Sequence, residues 1–221
     1  MGSGEYILSW KKISSSRSKL PSIRHFPIVQ DSKRFIATYI ASKAKSVLDI
    51  VSSDGIFLHE YLRPLGFNGL YVGVDVDPVL KTLKLDFPLF DRLDKVKEEF
   101  DAILILDVLE HLRIEEALEY LKIANEKLLP NGLLFITTPN VYCPLLHNDV
   151  THVTFFPYAD LYSLLKEIGF QRIYIYRTTP LFSSKSLNVI KRQIASFVCK
   201  LVYPLLGLDY CTDILVIAGK S

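Results

Sequence analysis

Residues 46–57 read SVLDIVSSDGIF, and their pattern indicates the fold class. Its first half, Val47 to Val51, is a short apolar run interrupted by Asp49, which is typical of a central strand covered by helices on both faces. Its second half carries hydroxyl and carboxylate groups that can cap a helix, and Gly55 can adopt a positive φ. The stretch therefore predicts a strand, a tight turn and the start of a helix, and open α/β sheets bind ligands at such turns.

Strand and helix patterns alternate along the rest of the chain. Further strand patterns lie at residues 70–74, 101–107, 133–138, 170–178 and 213–219. This alternation predicts an α/β fold with a parallel sheet and right-handed crossovers. The segment between Asp75 and Phe100 is short, so we expect only a brief strand at 83–87 and no full helix before it.

Acidic residues stand at the ends of two predicted strands. Asp75 closes the second strand, 20 residues beyond Gly55, where a carboxylate can accept hydrogen bonds from two ribose hydroxyl groups. Asp107 closes the most clearly buried strand, and Glu110 and His111 follow it. We therefore expect a ribose-containing cofactor near these strand ends.

In these motifs the chain resembles the class I S-adenosylmethionine-dependent methyltransferases. The matching segments are 47–55, 71–75, 100–103 and 110–112, and the similarity runs from Phe35 to Gly219. The resemblance implies a three-layer Rossmann-like methyltransferase fold, with a mostly parallel seven-stranded sheet and an antiparallel last strand. It also implies S-adenosylmethionine as the cofactor, with binding residues Asp49, Ser53, Gly55, Asp75, Asp86 and Asp107.

The first turn departs from the family's usual acid-x-Gly-x-Gly pattern. Val51 and Ser53 stand where the family has glycines, and only Gly55 remains. A β-branched valine resists the backbone conformations that glycine allows, and each added Cβ takes space beside a ligand. Two interpretations follow: the turn still binds the cofactor, or the chain is a non-catalytic partner protein that keeps the fold without cofactor binding.

The Glu-His pair after the fourth predicted strand also has two interpretations. In many methyltransferases of this type it only shapes the cofactor pocket and the start of a helix. The pattern acid-x-x-Glu-His also resembles the metal-binding pattern of ubiquinone-pathway O-methyltransferases and small-RNA 2′-O-methyltransferases. That resemblance implies a divalent metal such as Mg²⁺ held by Asp107, Glu110, His111 and a later histidine, His152 rather than His147. If no metal binds, His111 or His152 is the candidate catalytic base.

Charge and apolar periodicity mark two further segments. The first 34 residues carry seven basic and two acidic side chains, so we predict a basic, partly irregular arm at 1–30 and a methyltransferase-like domain at 31–221. Within the domain, apolar residues recur every three or four positions in an insertion at 187–208, which predicts an amphipathic helix. This helix could be a lid over a lipid-like substrate, a membrane-surface contact, a dimer contact or additional core.

Composition limits the location and the acceptor. The three cysteines form no Cys-x-x-Cys pair and no apolar leader opens the sequence, which predicts a cytoplasmic protein, peripheral to a membrane at most. The motifs favour a methyltransferase that acts on an oxygen of a small-molecule, lipid-like or glycan-like acceptor. An RNA methyltransferase is the alternative: the basic arm favours it, but the net charge is only +2 and no RNA-binding module is recognisable.

Overall fold

The computed structural model describes residues 20–144, 149–180, 197–198, 201–203 and 205–220. Within these residues, eight strands form one sheet and three α-helices pack against it. The strands are β1 (Ile28–Val29), β2 (Ser46–Ile50), β3 (Leu70–Val74), β4 (Leu89–Phe90), β5 (Phe100–Leu106), β6 (Leu128–Pro139), β7 (Arg172–Pro180) and β8 (Cys211–Gly219). The helices are α1 (Ser32–Lys43), α2 (Ile114–Lys127) and α3 (Tyr158–Ile168).

The sheet has the strand order β1-β7-β8-β6-β5-β2-β3-β4. Neighbouring strands are parallel except around β8, which runs antiparallel to both β6 and β7. The predicted Rossmann-like α/β fold, mostly parallel with an antiparallel last strand, is confirmed. The sheet has one more strand than predicted, because Arg177 donates from its backbone N to the Pro27 carbonyl (2.9 Å) and from Nε to the Phe26 carbonyl (3.0 Å). These bonds attach residues 28–29 to the sheet edge as β1.

Two buried apolar clusters cover the two faces of the sheet. One joins Leu48 and Ile50 of β2 to residues of α2 and α3, including Leu161. The other joins Val47 of β2 to α1 residues such as Ile36. Because successive side chains of a strand point to opposite faces, β2 buries apolar groups on both sides. This burial explains why its sequence is almost continuously apolar.

The helix predicted after the β2 turn is irregular. Residues 56–57 begin an α-helical turn, Leu58–Leu62 form a π-helical segment, and Arg63–Leu65 form a 3-10 segment. Pro64 lies in the last segment and has no backbone N–H to donate to a regular helical bond. The change of helix type therefore falls where the sequence cannot sustain a regular α-helix.

The connection between β3 and β5 is short, as expected. Its one helical element before β4 is a 3-10 turn at Pro78–Thr82. The brief strand predicted at 83–87 is wrong, because β4 lies further along at Leu89–Phe90. The ring of Phe87 occupies the space beside Gly55 and Gly73, where a Cβ on either glycine would lie within 2.7 Å of the ring. Phe87 is therefore a core contact, and β4 begins two residues after it.

The carboxyl ends of the parallel strands meet at one edge of the sheet, which we call the carboxyl edge. It carries, in spatial order, Asn140 after β6, Asp107 after β5, Val51 after β2, Asp75 after β3 and Asp91 after β4. Because β6 and β7 both run antiparallel to β8, β7 ends at this edge and β8 begins there. Among the described residues, no helix combines the length and apolar character needed to cross a bilayer.

Candidate functional site

The turn after β2 keeps the backbone conformation of a glycine-rich turn although two glycines are replaced. The φ angles are 66° at Val51, 51° at Ser53 and 85° at Gly55. Hydrogen bonds hold this shape: the amides of Val51 and Ser52 both donate to the Val74 carbonyl, at 2.7 and 3.2 Å. A β-branched residue at positive φ costs on the order of 1–3 kcal/mol. Val51 and Ser53 therefore add strain to the turn.

Asp75, at the end of β3, is bonded to the same turn. Its Oδ2 accepts a hydrogen bond from the Ser53 amide (2.9 Å), and its Oδ1 accepts one from the Asp77 amide (3.0 Å). The side chain is buried. An ionised carboxylate has about four acceptor positions, so these two bonds leave acceptor capacity for hydroxyl groups of a ligand. Asp75 thus both fixes the turn and keeps the acceptor capacity that its predicted role requires.

A small cavity of about 130 Å³ lies against the turn, lined by Lys33, Asp49, Val51, Ser52 and Ser53 among others. The Ser52 hydroxyl is buried and has no hydrogen-bond partner among the described residues. Pockets for whole ligands usually measure about 300–1,000 Å³. The cavity therefore has room for one part of a ligand. Lys33, Asp49 and Ser52 supply a basic, an acidic and a hydroxyl-bearing residue in its lining.

Asp49 is a buried acid on the wall of this cavity. The Tyr71 hydroxyl donates a hydrogen bond to its Oδ2. Burial raises the pKa of Asp49 to about 7, although the Tyr71 bond and the charge of Lys33 act in the opposite direction. Burial also raises the pKa of Tyr71, so the tyrosine remains the proton donor of the pair. Asp49 can therefore change its charge near neutral pH beside the cavity.

Asp107 lies between the turn and the Glu-His pair, and the residue has a φ of 57°. Its Oδ1 accepts a hydrogen bond from Thr137 Oγ1 (2.6 Å), and its Oδ2 forms an ion pair with Lys33 Nζ (3.3 Å). The structure does not place Asp107 among the grouped ligand atoms of Glu110, His111 and His152. Asp107 was predicted both as a metal ligand and as a cofactor contact. In the structure its carboxylate contacts Thr137 and Lys33.

Glu110, His111 and His152 come together in one group, which we call the Glu-His-His group. Each offers a ligand atom, and these atoms all lie within 4.8 Å of one another. The Glu110 carbonyl accepts hydrogen bonds from the amides of Val153 (2.8 Å) and Thr154 (3.1 Å), which bring the loop carrying His152 to β5. Burial raises the pKa of Glu110 to about 7. The sequence predicted that a histidine from a later loop would lie beside the Glu-His pair. In the structure His152 lies there.

The surroundings of the two imidazoles suit metal coordination or proton transfer. His111 Nδ1 lies 3.1 Å from Thr151 Oγ1, so Nε2 is the nitrogen left for a ligand. His152 Nδ1 is buried without a hydrogen-bond partner among the described residues, and its Nε2 lies 3.8 Å from Asp149 Oδ2. One carboxylate and two imidazoles suit zinc or another transition metal better than Mg²⁺, which prefers oxygen ligands. His147 lies outside the described residues.

Asp86, predicted near the adenine amine of the cofactor, lies before β4. Its carboxylate is 3.4 Å from both His59 Nε2 and Arg63 NH2. The acid at the carboxyl end of β4 is Asp91, which the sequence interpretation missed because it placed the strand too early. Hydrogen bonds from Lys95 (2.6 Å) and Lys81 (2.9 Å) hold the pKa of Asp91 below its usual range.

Lys33 and Thr137 were also missed as site residues by the sequence interpretation. Their contacts join residues far apart in sequence, such as Lys33 with Asp107, and no local motif marks them. Ser52 lies in the stretch at 46–57. Only the folded turn shows that its hydroxyl is buried and has no hydrogen-bond partner among the described residues.

Known proteins share this fold. The methyltransferase domain family matches residues 24–175 of the chain. A SAM-dependent methyltransferase from Archaeoglobus fulgidus superposes with a TM-score of 0.64 at 19% identity, over 86% of this chain and 95% of that one. No curated protein matches the sequence significantly.

Two other solved structures have similar folds at lower scores. An O-methyltransferase family protein from Burkholderia thailandensis gives a TM-score of 0.57 at 15% identity, over 85% of this chain and 55% of that one. A plantazolicin methyltransferase in complex with SAH gives 0.56 at 15% identity, over 96% of this chain and 90% of that one. At these identities the structures establish the shared fold.

The matched family model covers more than half of the chain. The chain belongs to the methyltransferase domain family, and it is a class I S-adenosylmethionine-dependent methyltransferase.

Proposed function

We propose that S-adenosylmethionine binds along the carboxyl edge, over the turn at 51–55. The observation that carries this proposal is the set of positive φ angles at Val51, Ser53 and Gly55, a backbone conformation that glycines favour. Asp75 would hold the ribose hydroxyls, because it retains acceptor capacity next to the turn. Asp91 rather than Asp86 would face the adenine end, because it follows β4.

The small cavity beside the turn would receive the amino-acid end of the cofactor. That end carries an ammonium and a carboxylate, and the cavity offers Asp49 and Lys33 as opposite charges. The unpartnered Ser52 hydroxyl adds a hydrogen-bonding group at the same place. The residues present therefore fit both the nucleoside and the amino-acid ends of the cofactor.

We further propose that the methyl acceptor is an oxygen of a small or lipid-like molecule placed beside the Glu-His-His group. When bound, S-adenosylmethionine supplies an electrophilic methyl group on a sulfonium centre. The protein must then align the acceptor hydroxyl and remove its proton. His152 or His111 would take this proton, because His111 follows β5, the neighbour of β2 in the sheet, and the centroids of the two imidazole rings lie 4.9 Å apart.

A divalent metal at the Glu-His-His group is the second candidate for activating the acceptor. The observation that favours it is the convergence of one buried carboxylate and two imidazoles within 4.8 Å. Such an ion would lower the pKa of a bound hydroxyl. The donor set favours zinc over the Mg²⁺ predicted from the sequence.

Calorimetry with S-adenosylhomocysteine tests cofactor binding in the full chain. We expect a dissociation constant in the micromolar range, and at least about tenfold weaker binding for Asp75→Asn. Asp54→Asn, an exposed acid of the same turn, is the control and should bind normally. No measurable heat for the folded wild-type protein would contradict the proposed cofactor site. Methyl transfer to RNA but not to small hydroxylated or lipid-like acceptors would contradict the proposed acceptor class.

A further inference from the structure

We propose that the apolar segment at 197–206, described at 197–198, 201–203 and 205–206, binds the surface of an anionic lipid membrane and brings the carboxyl edge to an acceptor held in that membrane. This inference rests on the proposed function, because it names the environment of the acceptor. Membrane binding can be tested without cofactor or catalysis, so an experiment can contradict this inference and leave the proposed function intact.

The segment exposes a large apolar surface. Its described side chains are 42–84% exposed at Phe197, Val198, Leu201, Val202, Leu205 and Leu206. Residues 197, 201 and 205 are four positions apart, and residues 198 and 202 flank them on the same side of a helix. The described residues of the segment therefore expose apolar side chains at helical spacing, a pattern typical of interfacial helices.

The charge of the surrounding sequence favours an anionic membrane as the partner of this apolar face. No aspartate or glutamate occurs between Glu167 and Asp209, whereas six lysines and arginines do. One of the six, Arg177, is paired with Asp209. An apolar face in such a basic segment matches a bilayer with anionic headgroups. A symmetric contact with a second copy would instead bring two basic segments together, which like-charge repulsion opposes.

The segment is attached next to the candidate site. Asp209, just beyond it, accepts hydrogen bonds from Asn140 Nδ2 (3.0 Å) and Arg177 NH1 (3.1 Å). The Asp209 amide donates to the Tyr142 carbonyl at 2.9 Å. Because Asn140 follows β6 and β6 neighbours β5, this anchor lies one strand away from the end that leads to Glu110. A membrane bound by the segment would therefore lie near the carboxyl edge.

The loop that carries His152 is apolar and exposed on the same edge. Val150 is 96% exposed, and Val153 and Phe155 are also exposed. These residues flank His152, one of the proposed proton acceptors. A surface with such side chains is stabilised when apolar groups of a bilayer cover it. The acceptor class that fits is therefore a hydroxylated lipid whose reactive oxygen reaches the headgroup region.

Vesicle flotation of the full chain tests the proposal. Vesicles of neutral phosphatidylcholine are compared with vesicles that contain about 30 mol% phosphatidylserine. The disruptive variant is Leu201→Glu with Leu205→Glu. The matched control is Leu65→Glu with Leu70→Glu, which changes the same residue type and the same charge at exposed positions away from the carboxyl edge.

We expect the wild type and the control to float with anionic vesicles and the 201/205 variant to bind at least about tenfold more weakly. Binding should also weaken as salt rises from about 0.1 M to about 1 M. Light scattering without vesicles and circular dichroism accompany the assay. Absence of flotation of the wild type, equal loss in both variants, or a dimer that the 201/205 variant alone dissolves would each overturn the proposal. Normal S-adenosylhomocysteine binding in that case would leave the proposed function intact.

Discussion

The backbone amide of Ser53 donates a 2.9 Å hydrogen bond to the carboxylate of Asp75. The acid that ends β3 therefore fixes the turn that ends β2, before any ligand is present. This bond gives a physical reason why the turn keeps its shape without two of the usual glycines. Charge-assisted bonds of this kind contribute about 1.5–3 kcal/mol, which is comparable to the strain of a valine at positive φ.

Replacing Val51 by glycine should relieve backbone strain. Val51 has a φ of 66°, so Val51→Gly removes a cost on the order of 1–3 kcal/mol and adds about 1 kcal/mol of unfolded-state entropy. Val76→Gly is the control, because Val76 is exposed and its φ is not positive. Urea unfolding should show Val51→Gly to be at least about 1 kcal/mol more stable than Val76→Gly. Equal stability of the two variants would mean that the turn is not strained at Val51.

The buried carboxyl of Asp49 should make stability depend on pH. Burial raises its folded-state pKa to about 7, above the unfolded value of about 3.9. The folded state therefore binds the proton more tightly, and stability is lost as pH rises from about 4 to about 7. The loss should reach at most roughly 4 kcal/mol, and Asp49→Asn should remove this component.

Urea unfolding of the wild type and Asp49→Asn at about pH 5 and about pH 8 measures this effect. The variant should be the more stable protein at the higher pH, with a smaller difference at the lower pH. Tyr71→Phe removes the hydrogen bond that lowers the pKa of Asp49, so the transition should move to higher pH. A constant difference between wild type and Asp49→Asn across this range would contradict the assigned burial effect.

The two acids around β4 should differ in their contribution to cofactor binding. Asp91 follows β4 at the carboxyl edge, whereas Asp86 precedes the strand and pairs with His59 and Arg63. Asp91→Asn should weaken S-adenosylhomocysteine binding by about tenfold, and Asp86→Asn by less than about twofold. Calorimetry on both variants checks the order. The reverse order would restore Asp86 as the adenine contact predicted from the sequence.

Zinc binding should depend on the Glu-His-His group and not on Asp107. Titration of Zn²⁺ into chelator-treated protein should give binding that His152→Ala weakens by at least about hundredfold, because one of three ligands is lost. Asp107→Asn should leave zinc affinity within about threefold, because Thr137 and Lys33 hold that carboxylate. Absence of zinc binding, with methyl transfer unchanged by a chelator, would contradict the metal and support His152 or His111 as the proton acceptor.

Local sequence patterns determined most of the architecture. The apolar run before Val51 and the alternation of strand and helix patterns predicted the parallel sheet, because burial on both faces requires such runs. The same patterns located Asp75 and the Glu-His pair, since each follows directly on a buried strand. The sequence also shows that Val51 and Ser53 replace the usual glycines. It does not show that both residues adopt positive φ angles.

Only the tertiary structure decided how the site is completed. It brought His152 to Glu110 across 42 positions through two amides that bond the Glu110 carbonyl, and it turned Asp107 towards Lys33 instead. It also places the edge strand β4 after Asp86, because Phe87 fills the space beside Gly55 and Gly73. Sequence periodicity reports which face of an element is buried, whereas these outcomes depend on contacts between elements far apart in the chain.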